Sequence, residues 1–274
     1  MKLAEARQFV LSCRPQWRDA KNDTAKINSQ HCLDVLGDIE LSEITPMSYV
    51  KIQNHFREQG KSNATINRIT SALSTIFSEL VKHHMVDTVV RCPNALKEPK
   101  GRVTYYTDEE IKAMMKACHE LEEADRMLVK DIILFASHSG ARQGEILKLT
   151  WQNVIWDMDV VCFRNTKNGT DRDVPMTAAV KEMLTRRWDE RIDDAEVFPT
   201  NKDTLLRRIK KLKKLCGITE SEKVFHTFRH HVATKLFSKG CAVNEVMDLL
   251  GHSQITTTMR YAHATAEGKR NAIS

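Results

Sequence analysis

Two motifs in the second half of the chain each place a basic side chain at a predicted turn. Arg142 follows the turn residues SGA and opens a helix, where its guanidinium could bind a phosphate beside the N-terminal amides. Lys167 lies in the stretch TKNG, whose Asn-Gly pair predicts the turn of a two-stranded hairpin. A lysine at such a tip can deliver an ammonium to a site. Taken singly, either residue is more commonly a solvated surface side chain.

Two further motifs supply histidines, a second arginine and a tyrosine. His226, Arg229 and His230 would share one face of a helix. Three cationic or titratable groups on one face repel one another unless an anion meets them, which favours a functional interpretation over a structural pair of histidines. His252 follows a predicted helix end, and Tyr261 lies nine residues further on, among threonines and an arginine. A lone tyrosine is more often a half-buried core residue.

Together these groups could transesterify a phosphodiester without a metal. A tyrosine hydroxyl can attack as a nucleophile, but its pKa near ~10 requires nearby cations or a base. Two arginines can hold the phosphate oxygens and stabilise the transition state, a lysine can protonate the leaving 5′ oxygen, and histidines can shuttle protons. No carboxylate cage for a metal is evident, and the cysteines form no CxxC pair. We therefore expect neither a metal nor a cofactor.

The elements that must position these groups are mostly helices. A capping box from Thr107 to Glu110 predicts a helix start, and an apolar helix follows over about residues 127–135. Residues 160–163 and 171–174 predict the two strands of an antiparallel hairpin. Three later helices are predicted to end at glycines, near Gly217, Gly240 and Gly251.

The first hundred residues also predict helices. One starts at Thr45-Pro46 and ends near Gly60, and a long amphipathic helix covers about residues 66–81. Its polar face carries short polar side chains and Arg68, so it is either solvated or lies along a phosphate backbone. Prolines and basic residues then interrupt the pattern over residues 91–102, which predicts a short basic linker and a domain boundary.

The composition excludes several classes of protein. The 274 residues carry 42 Lys and Arg against 36 Asp and Glu, a formal charge of +6, which permits an anionic partner without requiring one. Ten glycines and six prolines exclude collagen-like and low-complexity chains. No apolar run approaches the ~18 residues of a membrane span, and the first residues lack the apolar segment of a secretory signal. Seven scattered cysteines indicate reduced thiols, so we expect a cytoplasmic protein.

One dense run of positive charge lies between Lys202 and Lys214, on a predicted helix. It holds seven basic residues and one acidic residue. A solvated helix face is the default interpretation of such a run, but this density of one sign favours nucleic-acid contact equally.

Four stretches of the sequence resemble the tyrosine recombinases, or phage-type integrases. They are SGARQGEILKLTWQNV, TKNGTDRDVPMT, HTFRHHVATKLF and LGHSQITTTMRYAH, and their order and spacing agree with the family's two boxes and its hairpin lysine. Each motif is weak alone, but the combination is specific and covers about residues 105–265. The stretch TINRITSALSTIFSELVKHHMV is similar, less specifically, to a helix of the family's core-binding domain.

The resemblance implies a fold and a domain order. We expect a mainly α protein with a small antiparallel β-sheet. A helical, SAM-like core-type DNA-binding domain would cover residues 1–98, a linker residues 99–104 and a tyrosine-recombinase catalytic domain residues 105–274. Since the first predicted helix starts almost at Met1, we expect a two-domain enzyme or one trimmed of an arm-binding domain.

The resemblance also implies the main steps of the reaction. Arg142 and Arg229 would clamp the phosphate, and Lys167 would be the general acid. Tyr261 would be the nucleophile that forms a 3′-phosphotyrosyl link and frees a 5′ hydroxyl. The link would conserve the energy of the cleaved ester, so that a strand's 5′ hydroxyl could reseal it without ATP.

Other residues receive supporting roles. His226 and His252 would hold the phosphate and assist proton transfer. Glu145 and His230 match the family boxes and would support the site. The basic stretches and the polar helix face supply the candidates for DNA binding, which are Arg68, Lys97, Lys100, Arg102, Arg207, Lys210 and Lys211.

The leading hypothesis is a site-specific DNA recombinase or integrase. Its partner would be double-stranded DNA, on which four copies form the synaptic complex, with a monomer or weak oligomer off DNA. An accessory DNA-bending or directionality protein is a further candidate partner. Phage integration, dimer resolution and cassette exchange remain open as its biological task. The alternatives are a type IB topoisomerase-like enzyme and a DNA-binding regulator that keeps the fold without the reaction.

Overall fold

The chain divides into two compact units, Met1–Gly101 and Arg102–Ser274. The computed structural model describes residues 1–18, 24–99, 103–164, 171–191 and 196–262, apart from the side chains of Gln16, Arg18 and Ala262. Within these residues no helix is both long enough and apolar enough to span a membrane.

The first unit consists of helices. They are α1 (Leu3–Cys13), α2 (Pro15–Arg18), α3 (Thr24–Leu36), α4 (Pro46–Glu58) and α5 (Asn63–Lys82), with one turn of 3₁₀ helix at Leu41–Glu43. Helix α5 packs against α1, α3 and α4. It begins where the Ser62 hydroxyl accepts a hydrogen bond from the Thr65 amide, and it buries an apolar stripe along its length. The predicted helices at residues 46 and 66 are confirmed.

The polar face of α5 is partly covered by the chain that follows the helix. The Asn67 side chain donates to the Leu96 carbonyl and accepts from the Leu96 amide, both at 2.8 Å, and Asn63 donates to the Lys97 carbonyl at 2.8 Å. These asparagines therefore hold the segment around residues 96–97 in place. Arg68 remains exposed on the same helix.

The second unit is mostly helical with one small sheet. Its helices are α6 (Asp108–Ala117), α7 (Glu123–Ser139), α8 (Gln143–Ile146), α9 (Ala178–Asp189), α10 (Lys202–Leu215), α11 (Thr227–Ser238), α12 (Val243–Leu250) and α13 (Ile255–Ala262). Single 3₁₀ turns lie at Cys118–Glu120, Trp151–Asn153 and Trp156–Met158. The predicted capping box is present, with the Thr107 amide donating to Glu110 at 2.9 Å and the Glu110 amide to Thr107 at 3.2 Å.

The sheet contains the predicted hairpin and one additional strand. The strands β1 (Val154–Ile155), β2 (Val160–Phe163) and β3 (Arg172–Pro175) are antiparallel in the order β1-β2-β3. Phe163 pairs with Arg172 across β2 and β3. The return strand begins one residue later than predicted, and β1 is too short to show the alternating pattern of a strand. The predicted mainly α fold with a small antiparallel sheet is confirmed.

Two cores stabilise the second unit. The larger one surrounds α7, which packs against α6, α9, α10 and α11. The smaller one joins α11, α12 and α13 through Val232, Val246, Leu250 and Tyr261. Tyr261 is only 4% exposed, so the candidate nucleophile is part of a packed core.

Candidate active site

Three arginines from three different parts of the second unit meet at the C-terminal end of α12. Arg172 donates from Nε to the Leu249 carbonyl at 3.0 Å, and Arg229 donates from Nη2 to the Leu250 carbonyl. Arg142 donates from Nη2 to the Gly251 carbonyl at 2.9 Å. The last carbonyls of a helix lack partners within it and carry partial negative charge, so they suit guanidinium groups. These bonds fix the backbone that leads directly into His252.

Two glycines allow this close packing. Gly140 and Gly251 have positive φ angles of 61° and 63° and end α7 and α12. A Cβ on Gly140 would lie 2.6 Å from Cδ2 of Leu250. Arg229 makes its second hydrogen bond here, donating from Nη1 to the Gly140 carbonyl at 3.0 Å. The turn before Arg142 is thereby tied to the end of α12.

Glu145 connects two of the arginines. Arg172 binds it with Nη1 to Oε1 at 3.1 Å and Nη2 to Oε2 at 2.7 Å, and Arg142 Nη1 lies 2.8 Å from Oε1. The Arg142 amide also donates to Oε2 at 2.7 Å. Burial disfavours the carboxylate, but the hydrogen bonds and charges of Arg172, and then those of Arg142, lower the pKa of Glu145 to about 2. Glu145 is therefore ionised at neutral pH and holds Arg142 in place.

Arg229 is the most deeply buried of the three cations, at 1% exposure. Burial, and next the positive charges of Arg142 and Arg172, lower its pKa to about 9, which still leaves it protonated at neutral pH. The two hydrogen bonds described for Arg229 and the two side-chain bonds described for Arg142 leave further N–H donors on each guanidinium. The Arg142 side chain is 24% exposed, so an oxyanion can reach its donors.

The hydroxyl of Tyr261 lies among histidine side chains. It is 2.6 Å from Nδ1 of His230. The His252 ring lies parallel to the tyrosine ring, with centroids 6.4 Å apart, and Nδ1 of His252 is 2.7 Å from the buried Thr258 hydroxyl. His226, one residue before α11, meets His230 edge to face at 4.8 Å. The predicted convergence of His226 and His230 is present.

The surroundings lower the pKa of each of these histidines. Burial is the largest cause that lowers the pKa of His230 to about 4 and of His252 to about 4, and it also lowers the pKa of His226. Arg229 and Arg142 act on both His226 and His252 in the same direction. Burial also raises the pKa of Tyr261, while Arg229 and Arg260 lower it. At neutral pH the site therefore holds neutral histidines beside permanent cations.

Of the predicted catalytic residues, the structure brings Arg142, Arg229, His226, His252 and Tyr261 together. Lys167, predicted at the hairpin tip, lies outside the described residues, as do Lys100 and Arg102. Arg68 and Lys97 are exposed in the first unit.

The basic run on α10 has two kinds of side chain. Arg207 and Lys210 are exposed, on the side opposite the buried Leu205, Ile209 and Leu212. Three other members bind groups of the second unit itself. Arg208 pairs with Asp125 and Glu122, Lys211 donates to the Glu120 carbonyl at 2.7 Å, and Lys213 donates to the carbonyls of Glu220 and Lys223.

Arg172 and Thr258 are site residues that the sequence did not single out. Arg172 is in phase with the buried Val174 on β3, so the alternation of a strand could have placed it on the inner face. Its guanidinium stacks 4.6 Å from the Phe163 ring centre. Nothing in the sequence pattern distinguishes Thr258 from its neighbours Thr256 and Thr257.

In the described part of the chain, no three His, Cys, Asp or Glu side chains are grouped so that they could hold a metal ion. The charges that act on Tyr261 are those of Arg229 and Arg260. Arg229 lies near Arg142 and Arg172, and the single carboxylate of Glu145 balances only part of their charge. This arrangement suits the binding of an anion with its charge close to the tyrosine hydroxyl.

Comparison with known proteins places the second unit in a family. The model of the phage integrase family matches residues 104–267. The tyrosine recombinase XerA of Thermococcus kodakarensis is 26% identical over 240 residues, which cover 84% of this chain and 81% of that protein. The integrase of Escherichia phage P2 is 30% identical over 220 residues, which cover 80% of this chain and 60% of the integrase.

Solved structures share the fold. A lambda integrase dimer bound to a COC′ core site superposes with a TM-score of 0.78 at 20% identity, covering 97% of both chains. The XerH site-specific recombinase bound to a palindromic difH substrate gives a TM-score of 0.76 at 18% identity, covering 92% of this chain and 78% of the other.

Proposed function

Because this chain belongs to the phage integrase family, we propose that it is a site-specific DNA recombinase that cleaves and rejoins strands through Tyr261. One observation carries the proposal. The hydroxyl of the buried Tyr261 lies in a cluster of neutral histidines and permanent cations, organised by the end of α12. A cluster of like charges at this depth is unfavourable unless an anion completes it, and the phosphate of a DNA strand is such an anion.

The proposed reaction begins when Arg142 and Arg229 bind the non-bridging oxygens of the scissile phosphate. The hydroxyl of Tyr261 attacks phosphorus, the bond to the 5′ oxygen breaks, and a 3′-phosphotyrosyl bond forms. Lys167 donates the proton that the leaving 5′ oxygen takes up. The ester energy is retained, so a 5′ hydroxyl from a partner strand can reverse the step without ATP.

The arginines would do the work that a metal does in other phosphoryl-transfer sites. They neutralise the charge that accumulates on the equatorial oxygens, and they are already oriented before the substrate arrives. His252, held by Thr258, and His226 would add neutral hydrogen-bond donors to the same oxygens. Cleavage is therefore proposed to need neither a divalent metal nor ATP.

The first unit is proposed to bind DNA beside the cleavage site, with residues 1–98 as a core-type DNA-binding domain and residues 99–104 as the linker. Arg68 and Lys97, both exposed, are the described candidates for phosphate contacts. The XerH and lambda integrase structures named above contain DNA. Four copies of this chain are proposed to act together on two DNA sites.

Trapping of the covalent intermediate tests the proposal. A duplex with a nick just 3′ to the cleavage position loses a short fragment after attack, so that the phosphotyrosyl bond accumulates. The wild-type protein should form an adduct in EDTA and without ATP, and the Tyr261→Phe variant should form none. DNA binding without an adduct would favour a DNA-binding regulator, and relaxation of supercoiled DNA without site preference would favour a topoisomerase.

A further inference from the structure

One histidine touches the reactive oxygen of the proposed nucleophile. Nδ1 of His230 is 2.6 Å from the hydroxyl oxygen of Tyr261, a normal length for a hydrogen bond to a hydroxyl. His252 uses its own Nδ1 on Thr258, and His226 contacts the ring of His230. In the described part of the chain no hydrogen bond joins His226 or His252 to the Tyr261 hydroxyl.

Both partners of this contact are held in place. Tyr261 packs with Val232, Val246 and Leu250, so its ring has little freedom. His230 lies in the first turns of α11, and the neighbouring Arg229 anchors that helix to Gly140 and Leu250. The contact is therefore built into the junction of α11 with α13.

The charges around His230 favour its neutral form. Burial is the largest cause, and His226 just before α11, Arg260 on α13 and Arg229 on α11 act in the same direction. Helix α7 places His138 beside His231 and Lys235 instead, and the carboxylates of α12, Glu245 and Asp248, are exposed. A neutral imidazole whose proton is on Nε2 presents a lone pair at Nδ1 to the tyrosine hydroxyl.

We propose that His230 is the base that takes the proton of Tyr261 when the tyrosine attacks DNA, a step that rests on the recombinase function proposed above. The Oη–H bond of Tyr261 breaks as the Oη–P bond forms, and the proton goes to Nδ1 of His230. The P–O5′ bond breaks, and the 5′ oxygen takes a different proton, from Lys167. On rejoining, the proton of the attacking 5′ hydroxyl returns to Lys167, and protonated His230 returns its proton to the departing tyrosine oxygen, so the cycle balances.

An asparagine at position 230 separates proton transfer from positioning. Its side-chain oxygen can reach the place of Nδ1 and accept the hydrogen bond, but it does not take a proton near neutral pH. His230→Asn should slow adduct formation about 100-fold at pH 7, with DNA affinity unchanged. His230→Gln, whose amide reaches the place of Nε2, should be at least as slow. His138→Asn, an exchange of an exposed histidine on α7, is the control and should match the wild type.

Two changes that make the phenol easier to ionise should rescue the asparagine variant. Raising the pH from 6 to 9 should bring the rate of adduct formation by His230→Asn closer to the wild-type rate, because hydroxide replaces the missing base. Incorporation of 3,5-difluorotyrosine at position 261, which lowers the pKa of the phenol, should do the same. A 5′-bridging phosphorothiolate, which activates the leaving group, should rescue Lys167→Ala and leave the deficit of His230→Asn unchanged.

The outcomes separate this role from the proposed function. An adduct formed by Tyr261→Phe would contradict the recombinase mechanism itself. If that adduct is absent, a wild-type rate for a folded His230→Asn variant refutes the role of His230 alone. If the rate of His230→Asn stays below the wild-type rate by the same factor at every pH and with the fluorinated tyrosine, His230 only positions Tyr261. If the phosphorothiolate restores the rate, His230 instead assists departure of the 5′ oxygen. Thermal unfolding of each variant shows whether it is folded, and His230→Gln provides the same tests if His230→Asn is not.

Discussion

Arg172 and Glu145 form a bidentate pair in which Nη1 lies 3.1 Å from Oε1 and Nη2 lies 2.7 Å from Oε2. Glu145 in turn binds Arg142, and Arg172 reaches the Leu249 carbonyl through Nε. Because Arg172 is on β3, the pair joins the sheet to the groups proposed to bind phosphate. We therefore infer that Arg172 positions Arg142 through Glu145.

Replacing Arg172 by lysine should slow cleavage about 100-fold, because an ammonium cannot make the two parallel bonds and the carbonyl bond together. DNA affinity should change little, since the side chain is buried. Single-turnover cleavage and equilibrium binding measure the two effects separately. Arg164→Lys is the matched control, because Arg164 forms an exposed pair with Asp173 and touches only the backbone carbonyl of Arg172. A folded Arg172→Lys variant that cleaves at the wild-type rate would show that the pair does not position the site.

Glu145→Gln should destabilise the protein by about 3 kcal/mol at pH 7, because it leaves Arg172 and Arg142 without their carboxylate. The wild-type carboxylate has its folded pKa lowered from 4.5 to about 2. The contribution of this carboxylate to the free energy of unfolding is therefore fully present above about pH 4.5 and is lost as the pH falls through about 2. Urea unfolding at pH 7, 4 and 2.5 should show that the difference in the free energy of unfolding between variant and wild type decreases as the pH falls. Glu190→Gln, which removes a solvent-exposed carboxylate paired with Arg186, is the control and should show no such pH dependence. A difference in unfolding free energy that stays constant with pH for Glu145→Gln would contradict this role of the carboxylate.

Gly140→Ala should destabilise the second unit by about 3 kcal/mol and abolish cleavage. The new methyl group would meet Cδ2 of Leu250 at 2.6 Å, in a backbone conformation that disfavours L residues. Gly217 has a similar φ of 67° but nothing within 4 Å of the added atom, so Gly217→Ala isolates the backbone strain at about 1 kcal/mol. Denaturant unfolding of both variants gives the comparison. Equal losses would mean that packing against α12 is not what requires Gly140.

Neutralising Arg207 and Lys210 together should weaken DNA binding and reduce the slope of log affinity against log salt by about 2. Their exposed positions on α10 are available to phosphates, whereas Lys213 is used on the carbonyls of Glu220 and Lys223. Lys213→Gln should therefore lower stability and leave the salt slope unchanged. If the slope of log affinity against log salt is unchanged for the double variant Arg207→Gln, Lys210→Gln, these two residues of α10 do not contact DNA.

Sequence patterns predict the architecture and most of the candidate site. The long stripe of α5, the capping box at Thr107 and the strand at Val160–Phe163 are set by local periodicity and turn chemistry, which a sequence displays directly. The candidate residues Arg142, Arg229 and Tyr261 can be identified from the sequence because their side chains together suit one reaction.

The remaining features depend on contacts between distant segments. The pairing of Arg172 with Glu145 joins residues 27 positions apart, and that of Arg142 with Gly251 joins residues 109 apart. Likewise, the sequence does not show that Asn67 binds the Leu96 backbone, because an asparagine on a helix face has the same pattern whether it meets water or chain. His230 appeared only as a supporting residue, since its distance from Tyr261 is a property of how α13 packs on α11.

Identification of the amino acid that becomes linked to DNA tests the central claim most directly. A library of nicked duplexes with randomised sequence is incubated with the protein in EDTA, the covalent complexes are purified under denaturing conditions, and their DNA is sequenced. Digestion with nuclease and protease, followed by mass spectrometry, then locates the modified residue. We predict one enriched DNA sequence and a nucleotide 3′-phosphate on Tyr261, with no complex for Tyr261→Phe. Specific DNA binding without a covalent complex, or a nucleotide on any other residue, would contradict the account.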